Sequence, residues 1–154
     1  MYTKTVKNLE IVNYFDWIKR NNYSILSPKH RGYYAEFVFT KYCQKHGIIA
    51  MKINPNISII SQILTDFLKK IQIKELEKID KLAINYFCVE RNNGYFVVLK
   101  MGTSGITSHQ RKDIERLEKN EIFMFRIFED GEILIKNFNK KLKSTINPSD
   151  DQPV

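Results

Sequence analysis

Three acidic residues and one lysine stand where their side chains could act together on a phosphodiester bond. Lys100 ends the apolar run YFVVLK, Glu90 closes the preceding run, Asp80 comes just before that run, and Glu36 lies further upstream. Carboxylate oxygens are the ligands that Mg²⁺ prefers, and a bound metal ion activates water. A lysine beside the metal can orient that water or stabilise developing negative charge. If the fold gathers these residues, they would support metal-dependent phosphodiester cleavage.

Each of the four residues also has an ordinary structural explanation. A glutamate such as Glu36 on a helix face is usually solvated, and a lysine that ends a strand usually marks the exit to water. Asp80 could simply end an amphipathic helix, and a charge such as Glu90 is common beside a tight turn. The residue types alone therefore leave both interpretations open.

Basic residues are concentrated in three segments of a chain whose 25 Lys and Arg exceed 17 Asp and Glu, giving a net charge of +8. A balance of this size favours anionic partners, nucleic acid above all, although a lysine-rich surface also simply keeps a protein soluble. The second segment opens a predicted helix, whose free N–H groups can contact phosphate. The third could add sequence-independent affinity. The segments are Lys29, His30 and Arg31; His109, Gln110, Arg111 and Lys112; and Lys136, Lys140, Lys141 and Lys143.

Two further residue types in these segments could contribute to function. Tyr33 and Tyr34 could stack on unpaired bases, although aromatic residues of a helix more often fill a core, which we expect for at least one of them. His109 could act alone as a general base, but we favour a role in the nucleic-acid path.

Length and composition indicate a single intracellular domain. The 154 residues, 43% of them hydrophobic, suit one domain at 1–140 followed by a polar tail at 141–154. Cys43 and Cys88 lie in apolar runs without zinc-ligand spacing, which predicts buried free thiols. The sequence shows no signal-peptide core and no apolar run long enough to span a membrane, so we expect a cytoplasmic protein without a membrane partner.

The periodicity of apolar residues predicts an α/β fold with a mixed sheet. Asn93-Gly94 predicts a tight turn between two aromatic and β-branched strands, and Thr107 with Gln110 fits a capping box at the next helix. A hairpin followed by a helical crossover into another strand implies helices on both faces of the sheet. The predicted helices are 8–20, 28–46, a segment within 56–81, and 107–119; the predicted strands are 48–53, 82–90, 95–100, 122–128 and 132–138.

Two segments resemble the PD-(D/E)xK nuclease superfamily, and the archaeal Holliday-junction resolvases in particular. The segment RGYYAEF at 31–37 supplies a basic residue, a glycine and Glu36 four residues after that glycine. The segment 95–128 runs as a central strand ending in Lys100, a loop, a helix opening with Ser108-His109-Gln110, and a following strand. The resemblance covers roughly residues 28–130 as an order of elements, and it implies a restriction-endonuclease-like core.

The resemblance also implies a function, a cofactor and partners. It implies cleavage of duplex or branched DNA with Mg²⁺ or Mn²⁺, held by Asp80 and Glu90 and supported by Glu36 and Lys100. Because resolvases work as dimers, it implies a homodimer, for which the helix at 8–20 is a candidate interface. Small nucleases of archaeal viruses are similar in size and composition, which would place the protein in a host cytoplasm. The nucleic-acid path would be lined by Lys29, Arg31, His109, Gln110, Arg111 and Lys112.

The sequence departs from this family at its metal-binding acids. The family's acid two residues before the lysine is replaced by Val98, and its aspartate should lie across from that position on the partner strand. A turn over 91–94 pairs Val98 with Phe87 and Lys100 with Asn85, so neither position supplies an acid. Glu90 would lie on the order of 16 Å from Lys100 along the strand.

These departures leave three classes of function open. The first is a metal-dependent deoxyribonuclease, and the second is a catalytically inactive nucleic-acid-binding protein that keeps the nuclease-like fold. The third is a protein-interaction module whose charge only keeps it soluble.

Overall fold

The described part of the chain is built from six strands and three helices. A computed structural model describes residues 3–7, 11–53, 84–117 and 120–138. The predicted helix within 56–81, Asp80, and the tail with Lys140, Lys141 and Lys143 lie outside these ranges. The elements are β1 (Thr3–Val6), α1 (Tyr14–Arg20), α2 (Pro28–His46), β2 (Ile49–Lys52), β3 (Tyr86–Glu90), β4 (Asn93–Met101), α3 (Ser108–Arg116), β5 (Ile122–Ile127) and β6 (Ile133–Asn137).

The strands form one mixed sheet in the order β1-β6-β5-β4-β3-β2. Strands β4 and β5 are parallel and are joined by α3, whereas the other neighbouring pairs are antiparallel. This confirms the prediction of an α/β fold with a mixed sheet and a hairpin beside a helical crossover. Strand β1 was not predicted, because its four residues are defined by pairing with β6 from the far end of the chain.

Alternating residues of β4 divide the core into two halves. Tyr95 and Val97 pack with α1 and α2 on one side of the sheet, which we call the α2 face. Phe96 and Val98 pack on the other side with Leu117 and with the partly buried Ile114 of α3, and we call this the α3 face. Since side chains alternate along a strand, the parity of a residue in the central strands fixes the face on which it lies.

Helix boundaries follow the capping residues. Gly47 ends α2 in the left-handed conformation with φ 67°, as predicted. The predicted capping box of α3 is also present: the Gln110 backbone N–H donates to Thr107 Oγ1 at 3.1 Å, and the Thr107 backbone N–H donates to Gln110 Oε1 at 3.1 Å. The prediction that α1 begins at residue 8 was wrong. The side chain of Asn13 accepts from the Asp16 N–H at 2.9 Å, which starts the helix at Tyr14.

The β3–β4 turn is shorter than the predicted turn over 91–94. Arg91 and Asn92 form the turn, Arg91 with φ 58°, and Glu90 pairs with Asn93. Gly94 instead lies within β4, under the ring of Phe87: a Cβ built on it would lie 2.5 Å from Phe87 Cζ. The glycine is therefore required by packing on the α3 face and not by a turn.

Candidate functional site

Two basic side chains lie next to each other at the carboxyl ends of the parallel strands. Lys100 of β4 is the register partner of Arg126 of β5. Their parity with Phe96 and Val98 places both on the α3 face. Arg126 Nη1 donates to the carbonyl oxygens of Gly102 at 2.6 Å and Ser104 at 2.7 Å, so this guanidinium shapes the loop that follows Lys100.

Lys100 is half-buried beside this second cation. Burial, and then the charge of Arg126, lowers the pKa of Lys100 below its usual range. No carboxylate forms an ion pair with Lys100 in the described part of the chain. Like charges on facing positions of neighbouring strands destabilise a sheet, so this arrangement has an energetic cost that a bound anion would offset.

The first turn of α2 meets the same edge of the sheet. Arg31 Nη1 forms an ion pair with Glu129 Oε1 at 2.9 Å, in the loop between β5 and β6. Its guanidinium carbon lies 5.2 Å from the centre of the Tyr14 ring. A Cβ on Gly102 would lie 2.9 Å from Arg31 Nη2, so α2 packs directly against the loop after β4.

Helix α3 begins at the end of that loop, and the side chains of His109, Arg111 and Lys112 near its start are exposed. Gln110 is buried and serves the helix cap. The fold therefore brings the basic segments 29–31 and 109–112 to one edge, together with Lys100 and Arg126. We call this surface the basic edge. Lys136 on β6 extends it, because its register partner is Met124, diagonal to Arg126 on the same face.

Glu36 and Glu90, the two predicted acids within the described ranges, do not lie near Lys100. Glu36 accepts from Lys52 Nζ at 2.7 Å on the α2 face, where its charge adds to burial in raising the pKa of Tyr86. The sheet itself separates this ion pair from Lys100. Glu90 lies at the far end of the hairpin, also on the α2 face, and accepts from the hydroxyl of Tyr95 at 3.2 Å.

The residue across from Val98 is Asn85, not Phe87 as the predicted register had it. Tyr86 pairs with Val97, and the ladder continues one step further: the Asn85 N–H donates to the Val97 carbonyl at 3.1 Å. Asn85 Oδ1 also accepts from the Leu99 N–H at 2.8 Å. The two positions at which the family resemblance expects acids are therefore occupied by an amide and a valine.

Arg126 was missed in the sequence, although one signal was present. It is the single charged residue in the apolar run IFMFRIF, and a charge inside a strand of a buried sheet needs an explanation.

Within the ranges that the structure describes, no three His, Cys, Asp or Glu side chains are grouped as a metal site. None of the described helices combines the length and apolar character needed to cross a membrane. Since Asp80 lies outside those ranges, the Mg²⁺ or Mn²⁺ site stays a prediction.

The family resemblance rests on the residues quoted above. Compared with protein-family models, with curated proteins and with solved structures, this chain matches none.

Proposed function

We propose that this protein binds nucleic acid at the basic edge without cleaving it, as a nuclease-like fold in which Asn85 and Val98 occupy the positions of the family's metal-binding acids. The observation that carries the proposal is the Lys100–Arg126 pair, two neighbouring cations at the carboxyl ends of parallel strands. Neither side chain forms an ion pair with a carboxylate among the described residues.

Phosphate is the anion that fits this edge best. A partly buried lysine beside an arginine gains most from a ligand that brings negative charge and several acceptor oxygens. The neighbouring starts of α2 and α3 add exposed basic residues such as Lys29, Arg111 and Lys112. A repeating phosphate backbone can contact these cations together, and the net charge of +8 favours its approach.

The order of elements supports a nuclease-like core. Helix α2, strands β2, β3 and β4, helix α3 and strand β5 occur along the described chain in the order that the resemblance implies, with Lys100 next to the last residue of β4. Asn85 and Val98 favour the inactive alternative, because an amide and an isopropyl group do not supply the anionic oxygen ligands that Mg²⁺ requires.

A metal-dependent deoxyribonuclease is the second candidate. Two observations favour it: Lys100 lies near the carboxyl end of β4, as the lysine of the family motif does, and burial together with Arg126 lowers the pKa of Lys100. It would need carboxylates from outside the described residues, Asp80 among them.

Salt-dependent DNA binding tests the first proposal. Fluorescence anisotropy with labelled duplex and branched DNA over a range of salt concentrations should show affinity that falls steeply with salt. Lys100→Met should weaken binding to all sequences alike and reduce the slope of log affinity against log salt by about one. Lys52→Met is the matched control, since this lysine is paired with Glu36 on the opposite face, and it should leave binding unchanged.

Incubating the same DNA with Mg²⁺, Mn²⁺ or EDTA separates the two candidates. We expect intact DNA in all three. Cleavage that EDTA abolishes, and that Lys100→Met removes, would overturn the non-catalytic proposal in favour of the second candidate. Absence of binding at low salt would overturn both.

A further inference from the structure

An exposed apolar patch lies beside the basic edge, at the start of α2. Of the six large apolar side chains that are exposed in the described residues, five lie between residues 15 and 33. Leu26 is the extreme case, with 88% of its surface exposed. Exposed apolar groups that cluster in this way usually mark a binding surface. We define the tyrosine patch as Tyr23, Ile25, Leu26, His30 and Tyr33.

The centre of the tyrosine patch is a platform of three rings. The Tyr23 and His30 rings are stacked, with centroids 4.3 Å apart and planes 18° from parallel. The Tyr33 ring lies 6.0 Å from that of Tyr23 and 5.8 Å from that of His30. Trp17 supports the platform, its ring meeting that of Tyr23 edge-on at 5.4 Å. Both tyrosines remain 37% exposed, whereas Tyr34 is fully buried and is part of the core.

Hydrogen bonds hold the loop that presents this patch. The Ser24 N–H donates to His30 Nδ1 at 3.0 Å, and the Leu26 N–H donates to Ser24 Oγ at 3.3 Å. The buried Tyr14 donates its hydroxyl to the Ile25 carbonyl at 3.4 Å. A loop ordered before binding loses little conformational entropy when a ligand arrives.

The charges around the patch select an anionic occupant. Lys29 Nζ lies 5.7 Å from the centre of the Tyr33 ring, and Lys19 and Arg20 end the preceding helix. Asp16 is the only acid between residues 11 and 33. Arg31, which is ion-paired with Glu129, lies against the loop after Lys100 and so connects the start of α2 with the basic edge. Flat exposed rings bordered by cations suit a ligand that combines flat rings with phosphates.

We propose that the tyrosine patch binds an unpaired segment of nucleic acid, whose bases stack on Tyr23 and Tyr33 and whose phosphates lie near Lys29. This inference rests on the proposed function and adds a substrate class to it. In a duplex the base faces are already stacked on one another and cannot reach these rings. The protein should therefore prefer single strands, or duplexes with an unpaired extension, to fully paired DNA.

The test compares a labelled single strand with a duplex of the same length. Tyr33→Ala should weaken single-strand binding roughly 5- to 150-fold, the range for loss of one base–aromatic stack, and should leave duplex binding unchanged. Tyr33→Phe keeps the ring and should bind like the parent. Ile49→Ala, at an exposed apolar residue of β2 outside the patch, is the matched control. Trp17 is the single tryptophan, and its fluorescence should be quenched when the single strand binds but not when the duplex binds.

Three results would overturn the inference, and they are distinguishable. If Tyr33→Ala changes neither affinity while Lys100→Met weakens both, the patch has no role and the proposed function stands. If the parent protein binds neither substrate at low salt, the proposed function fails as well. If the protein shows no preference for single strands but binds vesicles containing phosphatidylserine, and Leu26→Asp abolishes that binding, the patch contacts a membrane. Leu26→Asp is informative because a side chain this exposed contributes little to folding.

Discussion

Glu36 and Glu90 on the α2 face differ from Lys100 and Arg126 on the α3 face in whether their charges meet a partner within the fold. On the α2 face, Glu36 is paired with Lys52 and Glu90 accepts a hydrogen bond from Tyr95. On the α3 face, Lys100 and Arg126 lie side by side at the ends of parallel strands. Glu36 and Glu90, two of the three acids proposed for catalysis, thus make contacts within the α2 face, and the basic pair lies on the other side of the sheet.

This difference between paired and neighbouring like charges indicates which surface binds a ligand. An ion pair within a fold satisfies its own charges and needs no ligand. Two neighbouring cations raise the free energy of the folded state, and they are tolerated where a ligand recovers that energy. The contrast between the faces therefore favours the basic edge over the Glu36 region as the binding site.

The largest effect that we expect on stability tests the packing of the α3 face. Gly94→Ala would place a methyl group 2.5 Å from Phe87 Cζ, and Phe87 is buried in the core on the α3 face. Urea denaturation should show a loss of about 1–3 kcal/mol in the free energy of unfolding, because an overpacked core must shift.

Phe87→Leu in the same chain supplies the control for this prediction. The smaller side chain should recover part of the stability that Gly94→Ala loses, since the two changes act on one contact. If Gly94→Ala leaves the free energy of unfolding unchanged, Phe87 does not lie over the glycine, and the register of the hairpin would have to be revised.

The next prediction is that one substitution on each face changes the free energy of unfolding in opposite directions. Lys100→Met should raise the free energy of unfolding by about 0.2–1 kcal/mol, because it removes a like-charge contact with Arg126. Lys52→Met should lower it by up to about 1 kcal/mol, because it removes the partner of Glu36. Both are measured by urea denaturation at one salt concentration. If the two substitutions change stability in the same direction, the contrast between the faces is lost.

Local signals in the sequence predicted much of the described fold. Three of these signals depend on only a few residues, and the structure contains the elements that they predicted. They are the helix end at Gly47, the capping box at Thr107 and the apolar strands on either side of the hairpin turn. Strand β1 and the start of α1 were missed for different reasons. Pairing of β1 with β6 is a long-range event that no local pattern encodes, and the Asn13 cap competes with an apolar periodicity that continues upstream of it.

The candidate site was harder to predict because it depends on register. Lys100 could be found from the end of its strand, but its neighbour Arg126 is set by the parallel pairing of β4 with β5. Asn85 was misplaced because Arg91 and Asn92 alone form the turn, whereas the predicted turn spanned residues 91–94. An error of this size in a turn changes every partner along a hairpin.

The smallest expected effect concerns the pH dependence of the basic edge. Burial and Arg126 hold the pKa of Lys100 below its usual value of 10.5. Between the lowered pKa and 10.5, the unfolded chain binds more protons at this residue than the folded chain, so stability rises with pH in that window. Nucleic-acid binding requires the charged lysine, so affinity should fall within the same window, in which an unperturbed lysine would still be charged.

Anisotropy titrations at fixed salt over this alkaline range would measure the fall in affinity. In the Lys100→Met protein the part of the fall in affinity that is due to Lys100 should disappear, so that only the pH dependence contributed by other groups remains. NMR observation of the Lys100 ammonium should also show its pKa rise when an oligonucleotide is added, because a bound phosphate favours the charged form. A pH profile that Lys100→Met leaves unchanged would mean that Lys100 does not contact the ligand, and the contrast between the faces would then carry no information about binding.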